Sequence, residues 1–340
     1  MIENNIATEH NIQSGSLGTS PFAFDFPPID NNLKEGVNRK IITELGVRHW
    51  ESCHSVVGVS DNEQNAGVLK SIDAGAGSLV FDFSNQHVAN VDWEVLLKGV
   101  DLERKGIVLI TQRNITSYLE SYLSFIKMNG VKAEKLKGYI MSREPHVDDI
   151  SKAMLLVKNS PDFKVNSIIL NCVEKVADRL SDAMDVVVKR MKELAEREVS
   201  EKEAFDNMVI CFNISDQYYY EIAGIRALRV LLFKLSQYFK VEKFSLSDIK
   251  IHAFASETAS SNQGEKCSQL KLASAVMGGC NLLTLLADHD VLENNEVSGA
   301  EQKLLESVFE DYYSGSESYY LEALTNKLVN LTWDSYFPPS

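Results

Sequence analysis

Short apolar runs alternate with longer amphipathic runs from about residue 40 onward. The short runs are 55–59 (SVVGV), 78–83 (SLVFDF), 106–111 (GIVLIT), 136–141 (LKGYIM), 164–170 (KVNSIIL), 207–213 (NMVICFN), 249–254 (IKIHAF) and 280–286 (CNLLTLL). Each is rich in Val, Ile, Leu or Phe and is bounded by polar residues or Gly, which suits strands buried on both faces of a parallel sheet. Helical spacing fills the intervals. Asn114 to Asn129 carries Ile115, Tyr118, Leu119, Tyr122, Leu123 and Ile126 three and four residues apart, and Asn171 to about Arg197 carries Val173, Val176, Ala177, Leu180 and Met184 on one face. Asp216–Phe239 and Ser268–Met277 repeat the pattern, and 299–313 and 318–332 add two C-terminal helices.

Eight strands alternating with helices predict an α/β fold, a (β/α)8 TIM-type barrel. The competing architecture is an open doubly wound sheet. No GxGxxG turn follows any strand, so the usual dinucleotide site is absent, and the strand count closes at eight. The barrel is expected over 41–340, with extra helices at its C-terminal end. Residues 1–40 read as a tail; its first thirty residues are rich in Asn, Ser, Gly and Thr and carry one aromatic patch, Pro21 to Pro28 (PFAFDFPP). Such a tail is expected to be flexible or pinned at a few points, the patch being one such pin, on this fold or on a partner.

Charge narrows the choice of partners. The formal net charge of −14 over 340 residues speaks against nucleic acid and against an anionic membrane surface. A local basic pocket for a phosphate-bearing ligand stays compatible with it. The five cysteines are odd in number and form no CxxC pair, so reduced thiols in a cytoplasmic protein are expected rather than a disulfide framework or zinc site. No signal peptide and no apolar run of membrane-spanning length is visible.

A barrel places its functional residues at the C-terminal ends of its strands. The candidate pocket residues there are Asp82, Gln86, Arg113, Arg143, Asn213, His252 and Ser256. They read either as a ligand pocket or as polar loop residues in water. His252, inside a strand, is a hydrogen-bonded core histidine or a proton shuttle. Arg226 and Arg229, three apart on a helix, grip a phosphate or a partner's carboxylate, or pack as structural ion pairs. Asp288-His289-Asp290 has no second spaced motif and reads as a solvated loop, so no metal site is expected. GxSxG, HExxH and Walker motifs are absent, and no catalytic residue is assigned.

Three segments resemble the barrel of the methylmalonyl-CoA mutase family. Tyr219 to Arg229 (YYEIAGIRALR) is similar to the family's F-x-E-I-A-K-x-R-A-x-R. His252 to Ser256 (HAFAS) and Ala273 to Asn281 (ASAVMGGCN) are similar to H-x-Q-T-S and A-A-V-x-G-G. Gly315 to Thr325 (GSESYYLEALT) is similar to G-G-S-Y-Y-I-E-x-L-T. Weaker similarity at 65–83 and 171–177 extends the resemblance over about 45–335, in the family's order. Positions carrying the family's polar chemistry differ. Its Arg before the strand falls on Asn207, its Gln after the strand His on Phe254, and its Glu in the next helix on Lys271. Its Y-H pair falls near Phe163 to Asn166, and its N-N-x-x-R-T on Gln263 to Ser268. The Y-P-T-M-Y and D-x-H-x-x-G segments have no counterpart.

The resemblance is closest to the family's small, inactive subunit. It implies a heterodimer in which this chain carries no cofactor. A larger subunit with a cobalamin domain would hold adenosylcobalamin and interconvert methylmalonyl-CoA and succinyl-CoA, an isomerase step of propionate metabolism. The alternatives are a barrel that itself binds a coenzyme A thioester, and a stand-alone scaffold that has lost mutase activity.

Overall fold

The computed structural model describes residues 50–58, 60–173, 175–256, 262–286 and 319–337, with backbone alone at 262–269 and 319. Strands β1 (Glu51–Val56), β2 (Ser78–Asp82), β3 (Gly106–Thr111) and β4 (Gly138–Ser142) come first, then β5 (Phe163–Lys164) and β6 (Asn166–Leu170). β7 (Met208–Ile214), β8 (Lys250–Ser256) and β9 (Leu282–Leu286) follow. The helices are α1 (Asp61–Asp73), α2 (Trp93–Leu96), α3 (Ile115–Met128), α4 (Val147–Leu156), α5 (Val176–Ala195), α6 (Glu201–Asp206), α7 (Tyr218–Tyr238), α8 (Asn262–Met277) and α9 (Tyr319–Tyr336).

All nine strands pair in parallel, in the order β5-β4-β3-β2-β1-β9-β8-β7-β6. The two end strands are separated in sequence by Val165 alone. Phe163 and Lys164 pair with β4, whereas Asn166 onward pairs with β7. The strand expected at 164–170 thus changes partner at Val165, and this handover brings the sheet round into a nearly closed TIM-type barrel. Most other strands fall within two residues of the sequence pattern. The first does not: it is Glu51–Val56 rather than 55–59. Val57 and Gly58 already belong to the turn that leads to Ser60, whose side chain forms a capping box with Glu63 at the start of α1. The helix expected from Asn171 begins at Val176. The predicted 299–313 helix, the 288–290 loop and the tail with its aromatic patch lie outside the described residues.

Two cores hold the barrel. The larger lies between strands and helices; α3 buries Ile115, Tyr118, Leu119, Tyr122, Phe125 and Ile126 into it, the stripe its 3.6-residue period predicts. α7 is buried nearly all round from Glu221 to Ser236, because α9 lies across its outer side. That placement explains why its apolar residues are spread round the helix rather than gathered in one stripe. The smaller core fills the barrel's interior. Among the described residues, no helix is long and apolar enough to cross a membrane.

Candidate functional site

Side chains alternate along a strand, so every second residue points into the barrel. Cys53, Val80, Val108, Ile110, Tyr139, Met141, Val209, Cys211 and Phe254 form this inner cluster. A chain of polar contacts runs through it. Thr284 Oγ1 lies 2.8 Å from His252 Nε2, and His252 Nδ1 lies 2.6 Å from Tyr139 Oη. Tyr139 Oη is 3.4 Å from Cys211 Sγ, which is 3.5 Å from Met141 Sδ. The Phe254 ring stacks on the imidazole at 4.1 Å. His252 and Thr284 are fully buried and Tyr139 and Cys211 nearly so.

Burial keeps every member of this chain uncharged. It lowers the His252 pKa to about 3 and pushes the Cys211 thiol up to about 12. The Tyr139 hydroxyl is driven well above its ordinary range, first by burial and then by Cys211. His252 is therefore a neutral core histidine with both ring nitrogens engaged. It sits below the mouth, inside the barrel, and not among the loop residues with which it was grouped.

At the mouth the candidate residues fall into separate pairs. Asp82, ending β2, accepts a 2.7 Å hydrogen bond from Arg143 Nη2, and Arg143 Nε donates to Ser84 Oγ at 2.8 Å. Burial alone would raise the Asp82 carboxyl, but the bonds from Ser84 and Arg143 outweigh it and hold it below the usual carboxylate range. Arg113 clamps Glu144 through Nε and Nη2, and Gln112 donates to the other carboxylate oxygen at 2.5 Å. The hydrogen bond from Arg113 is the largest cause that lowers the Glu144 pKa. Gln86 is turned toward the backbone, donating to the Asn90 carbonyl, while its own carbonyl accepts from the Tyr118 hydroxyl. Asn213 donates to Asn171 Oδ1 at 3.1 Å. Ser256 offers its carbonyl to Lys271 Nζ at 3.3 Å, and Lys271 also pairs with Asp216 at 3.0 Å. Asp82 and Arg143 are thus the two candidates brought into direct contact, and each mouth arginine already holds a carboxylate.

Arg226 and Arg229 are buried and serve the scaffold. Arg226 donates through Nε and Nη2 to the Met277 carbonyl at the end of α8. Arg229 donates to the carbonyls of Leu246, Ile249 and Gly279 and to Asn281 Oδ1. With exposures of 3% and 0%, both guanidinium groups are turned to the wall of the barrel, which is the structural alternative, met chiefly through backbone carbonyls. Glu221, in the same helix, forms a buried 2.7 Å pair with Arg179, whose guanidinium lies over Phe212 and donates to the Asn213 carbonyl. Two glycines let these elements close. A Cβ on Gly224 would meet Val176 Cγ1 at 2.6 Å, and one on Gly278 would meet Ile225 at 2.8 Å. The YYEIAGIRALR and ASAVMGGCN segments therefore dock on each other and build the wall.

Sequence reasoning missed Tyr139, Cys211 and Thr284. The alternation of Tyr139 with Met141, and the single polar residue of LLTLL in β9, were the available signals. Among the described residues no cluster of His, Cys, Asp or Glu is arranged to hold a metal ion.

Among the described residues, the geometry defines an α/β barrel with a packed cluster of side chains in its interior, and two of the three similarity-bearing segments build its wall. Comparison with known proteins then places its C-terminal half: residues 170–337 match the family model described as methylmalonyl-CoA mutase. A curated methylmalonyl-CoA mutase from Rhizobium meliloti (strain 1021) is 23% identical over 280 residues, 71% of this chain and 38% of the relative. The C-terminal half of the chain is thus similar to the methylmalonyl-CoA mutase family, and the chain spans less than two-fifths of that relative's length. Among solved structures, dihydropteroate synthase from Burkholderia cenocepacia gives a TM-score of 0.47 at 11% identity, covering 80% of this chain and 94% of that one. The Yersinia pestis dihydropteroate synthase gives 0.45 at 10%, covering 77% and 93%. Nothing about function is carried over from these distant likenesses.

Proposed function

We propose that this chain is a small-subunit-like member of the methylmalonyl-CoA mutase family. It is non-catalytic by itself and supports a larger subunit that holds adenosylcobalamin and interconverts methylmalonyl-CoA and succinyl-CoA. The observation that carries the reading is the mutual pairing of the polar groups described inside the barrel and at its mouth. Tyr139, His252 and Thr284 are bonded to one another, Phe254 stacks on the imidazole, and Arg143 and Arg113 hold Asp82 and Glu144. A ligand pocket needs polar groups that converge on open space; here they converge on each other. His252, bonded at both ring nitrogens, does not fit as a cobalt ligand, and the proposal assigns the cofactor to the partner.

The test is recovery of the native complex through a tag on this chain, followed by mass and cobalamin content. A stoichiometric larger partner carrying cobalamin supports the subunit role. Recovery of the chain alone and colourless sinks it. Titration of methylmalonyl-CoA into the isolated chain separates the remaining readings: saturable binding favours an acyl-CoA-binding barrel, and its absence favours a scaffold.

A further inference from the structure

The face at the N-terminal ends of the strands combines exposed apolar residues with unneutralised lysines. Met128 ends α3 and Leu155 lies in the last turn of α4, each 74% exposed, the highest values among the large apolar residues described. Leu156, beside Leu155, is 38% exposed. The two helices run side by side, tied near their starts by Thr116, which donates from its amide to Asp149 Oδ1 at 3.1 Å and from its hydroxyl to the Asp149 carbonyl at 3.0 Å. At 1.5 Å per residue and packed-helix spacing, Met128 and Leu155 stand about 13 Å apart.

Around them the chain reverses its overall sign. The connections 98–105, 127–137 and 157–164 carry nine basic residues against four acidic ones, in a protein of net charge −14. Lys127, Lys132, Lys135, Lys137 and Lys158 are all exposed, and none forms an ion pair with a described carboxylate. Favourable interaction with a helix C-terminus accounts for Lys127. It accounts neither for the lysines beyond it nor for the bare Met128 and Leu155.

We propose that this surface is the docking site for the chain's own residues 21–30, PFAFDFPPID, bound in extended form. That segment has the complementary chemistry. Phe22, Phe24 and Phe26 alternate, so in extended backbone they share one face, and Phe22 to Phe26 spans about 13 Å, the separation of Met128 and Leu155. Pro27 biases Phe26 toward extended backbone, and Pro28 does the same to Pro27. Asp25 and Asp30 are its charged groups, with no base among the ten residues, so it presents acid to a lysine-rich rim. A methionine and two leucines are suitable partners for phenylalanine rings.

The connection is long enough. Trp50 precedes β1 at the same end of the barrel, and residues 31–49 reach up to about 60 Å when extended. A tether of that length gives an effective concentration on the order of millimolar, so a contact too weak to form between separate molecules forms within one.

The experiment uses the full chain with a benzophenone amino acid in place of Phe24. The purified protein is irradiated, and the cross-linked peptides are mapped by mass spectrometry. The expected result is an intramolecular cross-link within 123–132 or 150–158. Its yield should fall at least about threefold at 0.5 M salt or in a Lys127→Glu, Lys158→Glu variant, as a screened surface attraction requires. Leu155→Ser should weaken it likewise; these positions are exposed, and an unchanged melting curve confirms that the barrel is intact. Cross-links elsewhere on the barrel overturn the proposal. So do products of dimer mass, which would assign the segment to a second copy, and a yield indifferent to both salt and charge reversal.

Discussion

His252 makes the barrel interior sensitive to acid, and the size of the effect follows from its burial. The folded protein holds its pKa at about 3, against an ordinary 6.5. Between those values the unfolded chain binds a proton that the folded one refuses, so stability rises with pH. The contribution is fully present above pH 6.5 and is lost as the pH falls from there toward 3. From pH 7 to pH 5 the loss is about 2 kcal/mol, a substantial part of the stability of an ordinary domain. The neighbours that face the imidazole do not share the titration: burial keeps Tyr139 protonated far above this window, and Cys211 titrates at about 12. Thr284 and Phe254 carry no charge.

The assay is urea unfolding of the chain and of His252→Gln at half-unit steps from pH 7.5 to 5. The substitution lowers stability at every pH, because Tyr139 and Thr284 each lose a partner, so the informative quantity is the slope. His54, whose pKa burial also lowers with help from Lys105, is retained in both proteins and cancels. The wild type should lose about 2 kcal/mol more than the variant across this range. Parallel curves would refute the neutral, locked histidine. So would a resonance assigned to the His252 imidazole that titrates near 6.5 in the native protein.

The buried Arg179–Glu221 pair should cost about 3–5 kcal/mol when either partner alone is truncated, as in Glu221→Leu, because the remaining charge is stranded. Arg179→Met with Glu221→Leu should recover much of that, which a double-mutant cycle by chemical denaturation would read. Gly278→Ala should destabilise by about 1–3 kcal/mol, since the added methyl lies 2.8 Å and 2.9 Å from two Ile225 carbons; it should cost less in an Ile225→Ala background than in the wild type, which a double-mutant cycle by denaturant unfolding would read. Arg143→Met, at the half-exposed Asp82 pair, should change stability by less than about 1 kcal/mol, and that small difference should shrink on screening, which thermal melts at 0.05 and 0.5 M salt would check.

The architecture was legible because strands buried on both faces announce themselves as unbroken apolar runs, and GIVLIT and NMVICFN need no context to be read. The first strand was misread for the complementary reason. ESCHSV contains Glu51, Ser52, His54 and Ser55, and it becomes a strand by pairing with β2 and β9, which periodicity along the chain does not express. The site divided along the same line. Which residues end a strand can be counted from sequence, and Asp82, Arg113, Arg143 and Asn213 lie at or just beyond the ends of β2, β3, β4 and β7. Whether a strand-end arginine faces a ligand or a carboxylate depends on the neighbouring strand, and Glu144 and Asp82 are supplied by other strands. The Tyr139–His252 contact joins residues 113 apart and the Arg226–Met277 contact residues 51 apart. This separation is also why resemblance and chemistry part company here. Glu221, Gly224, Arg226, Arg229 and Gly278 occupy family-like positions because their contacts close the wall of a barrel. Phe254 and Lys271, where the family has Gln and Glu, are also engaged, the one stacked on His252 and the other paired with Asp216 and the Ser256 carbonyl. Among the described residues, the segments from Tyr219 to Arg229 and from Ala273 to Asn281 are recognisable because they hold each other, through Arg226 to Met277, Arg229 to Gly279 and the close approach of Gly278 to Ile225, so likeness in those segments speaks to the wall of the barrel.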